Sequence, residues 1–140
     1  MADIGFDFFF VGNMWNNPEE LTHLLGIEPT IVRHEGNVIP GRKYNIPSPY
    51  SMWGYSIWDT IDEDLNNLTE MLLDKFETKA EIIKEYLSKH PVVEVKVWFV
   101  IKAAPENFPS LYLNKRLISF LGKINACIDF DTYIDEEYKI

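Results

Sequence analysis

Cationic and aromatic side chains are concentrated between residues 33 and 58 of this 140-residue chain. The residues that carry or can accept a positive charge are Arg33, His34, Arg42 and Lys43. The large aromatic residues are Tyr44, Tyr50, Trp53, Tyr55 and Trp58. A guanidinium can hold a carboxylate or phosphate through two hydrogen bonds, and aromatic faces stack on flat or sugar-like ligands. The segment therefore predicts one of two things. It is either a ligand pocket that uses Arg33, Arg42, Tyr44, Trp53 and Tyr55, or a surface on which the cations pair with neighbouring acids.

Two carboxylates near the end of the sequence are the metal candidates. Asp129 and Asp131 are two residues apart in a segment typical of a strand, so both project from one face, where they could hold a hard cation or share a proton. The alternative is that they line a solvated face and discourage pairing at the strand's edge. No third acidic or histidine residue lies within the predicted strand at 127–134, and the three histidines have no ligand spacing. We therefore expect no metal and no cofactor.

Sequence motifs for catalysis are missing. The chain has no G-x-S-x-G elbow, no G-x-G-x-x-G loop after a strand and no Walker-type lysine. Cys127 is the single cysteine, and no activating cation adjoins it, so a half-buried structural side chain is favoured over a nucleophile. The sequence favours a non-enzymatic function over catalysis.

Two aromatic residues are predicted on the polar side of strands. Phe9 alternates with the apolar side chains of the first strand, and Trp98 lies between Lys96 and Lys102 on another. Exposed aromatic residues on a sheet face mark interfaces, for a different protein or a second copy of the chain. The alternative is a second small hydrophobic cluster beneath the proline-rich loops.

Length and charge limit the classes of function. A chain of 140 residues is expected to form one domain spanning residues 1–140, and 46% hydrophobic residues exclude general disorder. The net charge of −9 repels phosphate backbones and anionic lipid. The longest apolar runs are far shorter than a membrane span. We expect a cytoplasmic protein that binds neither nucleic acid nor membranes.

Hydrophobic periodicity predicts an α+β fold, in which helices cover mainly one face of a largely antiparallel, mixed sheet. Period-two patterns predict strands at residues 4–11, 30–34, 42–46, 51–58, 92–102 and 127–134, with a short extended piece at 110–113. Helical patterns follow an asparagine cap before Pro18, the acidic residues 62–64, a capping box formed by Thr78 and Glu81, and an asparagine cap at Asn114. In the strand at 51–58, Trp53, Tyr55 and Ile57 share one face and Met52, Gly54, Ser56 and Trp58 share the other, and one of these faces is expected to join the core.

Several of these segments together resemble DUF4279, a bacterial family of unknown function. The resemblance rests on the phenylalanine-rich first strand, the Pro-Glu-Glu-Leu helix ending at residues 25–29, the strand centred on Trp53, the paired central helices and residues 128–133. It covers nearly the whole chain. It implies a small intracellular bacterial α+β domain, and it implies no activity.

Two functional hypotheses follow. The leading one is a protein-interaction module that binds a partner through its aromatic sheet face and acidic surface. The partner would be a basic protein, as for an immunity-type protein that masks a toxin, or a second copy forming a homodimer. The alternative is a binding protein or enzyme for a small carboxylate, phosphate or sugar-like ligand, with a pocket near Arg33, Arg42 and Trp53.

Overall fold

Apolar residues at alternate positions build a five-stranded sheet in the computed structural model, which describes residues 2–39, 46–61 and 66–134. The strands are β1 (Ala2–Gly12), β2 (Ile31–Arg33), β3 (Ser51–Ile61), β4 (Val93–Ala103) and β5 (Cys127–Ile134). Their order across the sheet is β2-β3-β1-β4-β5. The central strand β1 is antiparallel to both β3 and β4, β2 is antiparallel to β3, and only β4 and β5 run parallel among the described strands. The predicted α+β class with a largely antiparallel, mixed sheet is confirmed.

Four α-helices lie in the described ranges: α1 (Glu20–Leu25), α2 (Asn66–Phe76), α3 (Ala80–Lys89) and α4 (Lys115–Lys123). Gly26 ends α1 in the left-handed conformation, with φ of 67°, as its position in the sequence predicts. Asn114 caps α4 by accepting a hydrogen bond from the backbone N–H of Leu117 at 2.9 Å. Within the described ranges no helix has both the length and the apolar composition needed to cross a bilayer.

The hydrophobic core lies between the helices and one face of the sheet. Ile4, Phe6, Phe8 and Phe10 alternate along β1, and all four are 0% exposed. The Phe8 ring lies 4.7 Å from the ring of Phe76 on α2, measured between centroids. Burying this row stabilises the sheet and fixes its orientation, because each large apolar side chain contributes about 1.5–3 kcal/mol on leaving water.

A single arginine joins the helices at the outer surface. Arg116 on α4 donates hydrogen bonds to carboxylates of Asp74 and Glu70 on α2 and to that of Glu77, which begins the 3-10 turn Glu77–Lys79. These interactions, led by the Glu77 hydrogen bond, raise the pKa of Arg116 above its already high ordinary value. Arg116 therefore remains charged and links α4 to α2.

Some local predictions differ from the structure. Thr78 does not cap a new helix: it lies inside the 3-10 turn that continues α2 into α3, so no free helix start exists there and α3 has no side-chain cap. Helix α1 begins at Glu20 without a side-chain cap, because residues 18–19 form a turn first. Residues 110–113 form no strand. The predicted strand at 42–46 falls, except for its last residue, outside the described residues, as do the acidic residues 62–64.

Candidate functional site

The face of the sheet opposite the helices carries the candidate site. Side chains of β1 alternate across the sheet, so Asp7, Phe9 and Val11 point away from the buried phenylalanines. We call this side the open face. Register places the following residues on it: Asp7, Phe9, Val11, Ile31, Arg33, Met52, Gly54, Ser56, Trp58, Glu94, Lys96, Trp98, Val100, Asp129 and Asp131. Two of its tryptophans remain accessible, with Trp58 59% and Trp98 38% exposed.

A cavity of about 390 Å³ lies in the open face, across β2, β3, β1 and β4. Its lining consists of Asp7, Phe9, Ile31, Arg33, Tyr50, Met52, Gly54, Ser56 and Trp98. All of these residues come from strands or from the loop before β3, and no helix in the described ranges contributes to the lining. The cavity is thus a depression in the sheet surface with largely apolar walls.

The two ends of this cavity carry opposite charges. Register places Arg33 beside Met52, whereas Asp7 lies beside Ser56, four residues further along β3. Arg33 on β2 and Asp7 on β1 also lie on opposite sides of β3. At about 3.3 Å per residue along a strand and about 4.8 Å between strands, the two ends are about 16 Å apart. Asp7 accepts a hydrogen bond from the Ser56 hydroxyl, which fixes its carboxylate at that end. The cavity can therefore receive an elongated group with an anion near Arg33 and a cation near Asp7.

Two glycines shape the open face by lacking side chains. A Cβ on Gly54 would lie 3.0 Å from Cγ2 of Ile31 and 3.4 Å from Cβ of Phe9, so the missing side chain lets Ile31 and Phe9 pack closely over this strand. A Cβ on Gly5 would collide with the indole ring of Trp58, which is directly opposite in register. Gly5 thus allows Trp58 to lie flat on the sheet.

A row of three side chains beside the cavity combines an indole with two carboxylates. Trp98 on β4 lies opposite Asp7 on β1 and opposite Asp129 on β5. Side chains opposite one another on a sheet have Cβ atoms about 4.5–5.5 Å apart, within reach of a shared ligand group. An indole face attracts cations, and flanking carboxylates add ionic attraction. The row Asp7, Trp98 and Asp129 suits a guanidinium or ammonium group.

The structure divides the residues predicted as one ligand site between the two faces. Arg33 lines the cavity, together with Phe9 and Trp98, which the sequence had suggested only as interface residues. Trp53 lies on the helix side, fully buried, and its indole N–H donates to the Thr22 hydroxyl at 3.0 Å. Tyr55 also faces the helices, with its ring 5.6 Å from that of Phe76, measured between centroids. The other two predicted residues, Arg42 and Tyr44, lie outside the described residues.

Six residues that line the cavity were not predicted as site residues: Asp7, Ile31, Tyr50, Met52, Gly54 and Ser56. The alternation of Met52, Gly54 and Ser56 with Trp53 and Tyr55 was visible, but it did not reveal which face the helices cover. A glycine between two large side chains of a strand was the available signal for a depression in the sheet surface.

The two carboxylates predicted as metal candidates lie on the open face, in β5. Asp131 accepts a hydrogen bond from the Tyr133 hydroxyl at 3.0 Å, and this contact raises the pKa of Tyr133. Asp129 is exposed beside Trp98. Among the described residues, no group of three or more histidine, cysteine, aspartate or glutamate side chains could hold a metal ion.

A second cavity of about 390 Å³ lies between α1 and α3. Several of its polar groups contact one another or their neighbours. The Tyr86 hydroxyl accepts a hydrogen bond from the Trp15 indole N–H at 2.8 Å, and burial raises the pKa of Tyr86. The His90 ring stacks on that of Tyr86 at 4.0 Å between centroids, and its Nε2 lies 3.8 Å from Glu20 Oε2. These contacts connect the start of α1 to the end of α3.

Comparison with known proteins identifies a family. A family model described as a domain of unknown function, DUF4279, matches residues 4–135. This range includes every strand apart from the first two residues of β1, and it contains every open-face residue named above. Searches among curated proteins and among solved structures give no match.

Proposed function

We propose that this chain, which belongs to the DUF4279 family, is a non-enzymatic module that binds a basic protein on the open face of its sheet. The observation that carries the proposal is the row of Asp7, Trp98 and Asp129, in which an exposed indole lies between two carboxylates. An arginine or lysine of a partner could contact the Trp98 indole and both carboxylates together, which combines cation–π with ionic attraction.

The size of the open face supports a protein partner. Three strands of 11 residues, one of eight and one of three form the sheet. At about 3.3 Å per residue and 4.8 Å between strands, they span about 700 Å². A standard protein–protein interface buries about 800 Å² on each partner. Trp58 and Trp98 would serve as anchors, since tryptophan is enriched among residues that dominate binding energy.

The charge of the chain supports a basic partner. A net charge of −9 accelerates encounter with a cationic protein and repels nucleic acid. This combination suits an immunity-type protein in the bacterial cytoplasm that masks the basic surface of a toxin. That assignment predicts tight association at low salt that weakens as salt rises.

The proposal is tested by quantitative capture of proteins from native lysate at low salt. The bait is the wild-type chain, the double variant Trp58→Thr with Trp98→Thr, or the control Met71→Thr with Ile118→Thr. The control replaces two exposed apolar residues on α2 and α4, which are 49% and 55% exposed. We expect basic proteins that bind wild type and control, elute with salt and are lost from the double variant. Identical captured sets with all three baits would refute the proposal.

A second candidate function is the binding of a small anionic ligand in the cavity at Arg33. The observation in its favour is the cavity of about 390 Å³, whose lining combines the Arg33 side chain with the aromatic residues Phe9 and Tyr50. A thermal-shift screen of metabolite acids tests it, because a bound ligand raises the melting temperature. A ligand that stabilises wild type but neither Gly54→Val nor Arg33→Gln would support the pocket. No shift across the panel would reject it.

A further inference from the structure

β5 forms one edge of the sheet. β5 is last in the sheet order and pairs with β4 alone among the described strands. Six of its eight residues are exposed, so the edge is accessible along most of its length. An uncovered edge presents backbone N–H and C=O groups that can pair with another extended chain.

The two faces of β5 differ in chemistry. Asp129 and Asp131 project on the open face, whereas Phe130 and Ile134 project on the helix side. The Phe130 ring stacks on Phe99 with centroids 5.1 Å apart, yet it remains 40% exposed, and Ile134 is 66% exposed. A strand lying beside β5 would therefore meet carboxylates on one face and apolar surface on the other.

Electrostatics at this edge oppose a second copy of the chain as the occupant. Antiparallel pairing of two β5 strands about a two-fold axis at Phe130 would place Asp129 of each copy opposite Asp131 of the other. Pairing centred on Asp131 would place that carboxylate opposite itself. Like charges directly opposite one another destabilise a strand pair. The same carboxylates favour a segment that carries lysine or arginine at alternate positions.

We propose that the β5 edge accepts an extended basic segment by strand addition, with lysine or arginine facing Asp129 and Asp131 and apolar residues facing Phe130 and Ile134. The inference rests on the proposed function, because it identifies the part of a basic partner that engages the chain. Backbone pairing supplies affinity, and alternation of charged and apolar side chains supplies selectivity. Asp129 belongs to both the edge and the Trp98 row, so the segment would be continuous with a partner on the open face.

The test uses a fluorescent nine-residue peptide that alternates lysine with valine, titrated with the full chain and followed by anisotropy. A peptide of the same composition without alternation is the first control, and we expect it to bind much more weakly. Two N-methylated peptides then probe the backbone: one is methylated on the lysine amides, the other on the valine amides. Amides at alternate positions of a strand point to the same side. Strand addition therefore predicts that one methylated peptide loses binding while the other keeps it. Equal binding by the two methylated peptides would overturn the inference.

Variants of the chain test the carboxylates. We expect Asp129→Asn with Asp131→Asn to weaken binding of the alternating peptide about three- to tenfold, since two exposed ion pairs are lost. Glu81→Gln with Glu106→Gln removes the same charge from exposed positions away from the sheet, and it should leave binding within about twofold. Equal weakening by the two double variants would overturn the inference, because only net charge would then matter.

Failure of this inference is distinguishable from failure of the proposed function. Suppose capture depends on Trp58 and Trp98 but no alternating peptide binds: the edge inference then fails and docking on the open face stands. The opposite result is that only one of the two methylated peptides loses binding, while the double tryptophan variant captures the same proteins as wild type. Docking on the open face then fails and strand addition stands.

Discussion

Two tryptophans on the same strand provide a matched test of the two faces of the sheet. Trp53 and Trp58 both lie on β3, with Trp53 0% and Trp58 59% exposed. Replacing Trp53 with alanine removes a fully buried ring that contacts Phe10 and Phe76, so we expect a loss of about 3–5 kcal/mol in the free energy of unfolding. Replacing Trp58 removes partial burial over Gly5, for which the expected loss is about 1–2 kcal/mol.

The assay is urea unfolding with thermal melts as a second measure. For a domain of this length, about 3–5 °C in Tm corresponds to each kcal/mol. Trp53→Ala should lower Tm by about 9–25 °C and Trp58→Ala by about 3–10 °C. Trp53→Phe keeps a ring in the core, so its loss in the free energy of unfolding should be smaller. This variant still tests the assignment if Trp53→Ala fails to fold. Equal losses for Trp53→Ala and Trp58→Ala would refute the assignment of the two faces.

Three further predictions concern pH, charge and the open face. Burial raises the pKa of Tyr86 above 10.0, so its neutral form stabilises the fold at lower pH, and this contribution is lost as pH rises from 10.0 through the raised pKa. Urea unfolding should therefore show a smaller alkaline loss of stability in Tyr86→Phe than in wild type, and equal losses would contradict this. Arg116→Gln should lower the urea midpoint because it leaves three carboxylates without their cation, and a deficit that about 1 M NaCl does not reduce would contradict this account. Gly5→Ala should displace the Trp58 ring and increase its quenching by iodide, whereas unchanged quenching would show that the ring does not lie over Gly5.

The strands with regular alternation were the most predictable elements. β1 and β4 alternate apolar with polar residues over most of their length. The strand predicted at residues 4–11 extends by two residues at its start and one at its end, and the strand predicted at 92–102 is displaced by one residue at each end. Burial of one side of a sheet dictates this pattern, so the pattern can be recovered from sequence. Helix α4 was predicted for the same reason, with an asparagine side chain that satisfies its first N–H groups.

The composition of the candidate site was less predictable, because it depends on contacts between distant parts of the chain. Arg33 and Trp98 line one cavity although 65 positions separate them, and this meeting requires β2, β3, β1 and β4 to be neighbours in that order. The sequence also placed Trp53 and Trp58 on opposite faces without showing which face the helices cover. The prediction therefore grouped Arg33 with Trp53, whose ring lies in the core.

A predicted helix cap was wrong because the preceding helix continues through its position. Thr78 and Glu81 have the spacing of a capping box, but the 3-10 turn leaves no helix start to cap. A capping side chain stabilises only backbone N–H groups that lack partners. The capping-box spacing therefore predicts a cap only where a helix begins after a non-helical segment.

The central claim is that a basic protein covers the open face, and iodide quenching of tryptophan fluorescence tests it most directly. Trp15 and Trp53 are 3% and 0% exposed, so quenching of the free chain reports mainly Trp58 and Trp98. The variants Trp58→Phe and Trp98→Phe separate the two signals. We predict that both indoles are quenched in the free chain and that both become protected when a captured basic partner is bound. Quenching that persists at both positions in the complex would contradict the account.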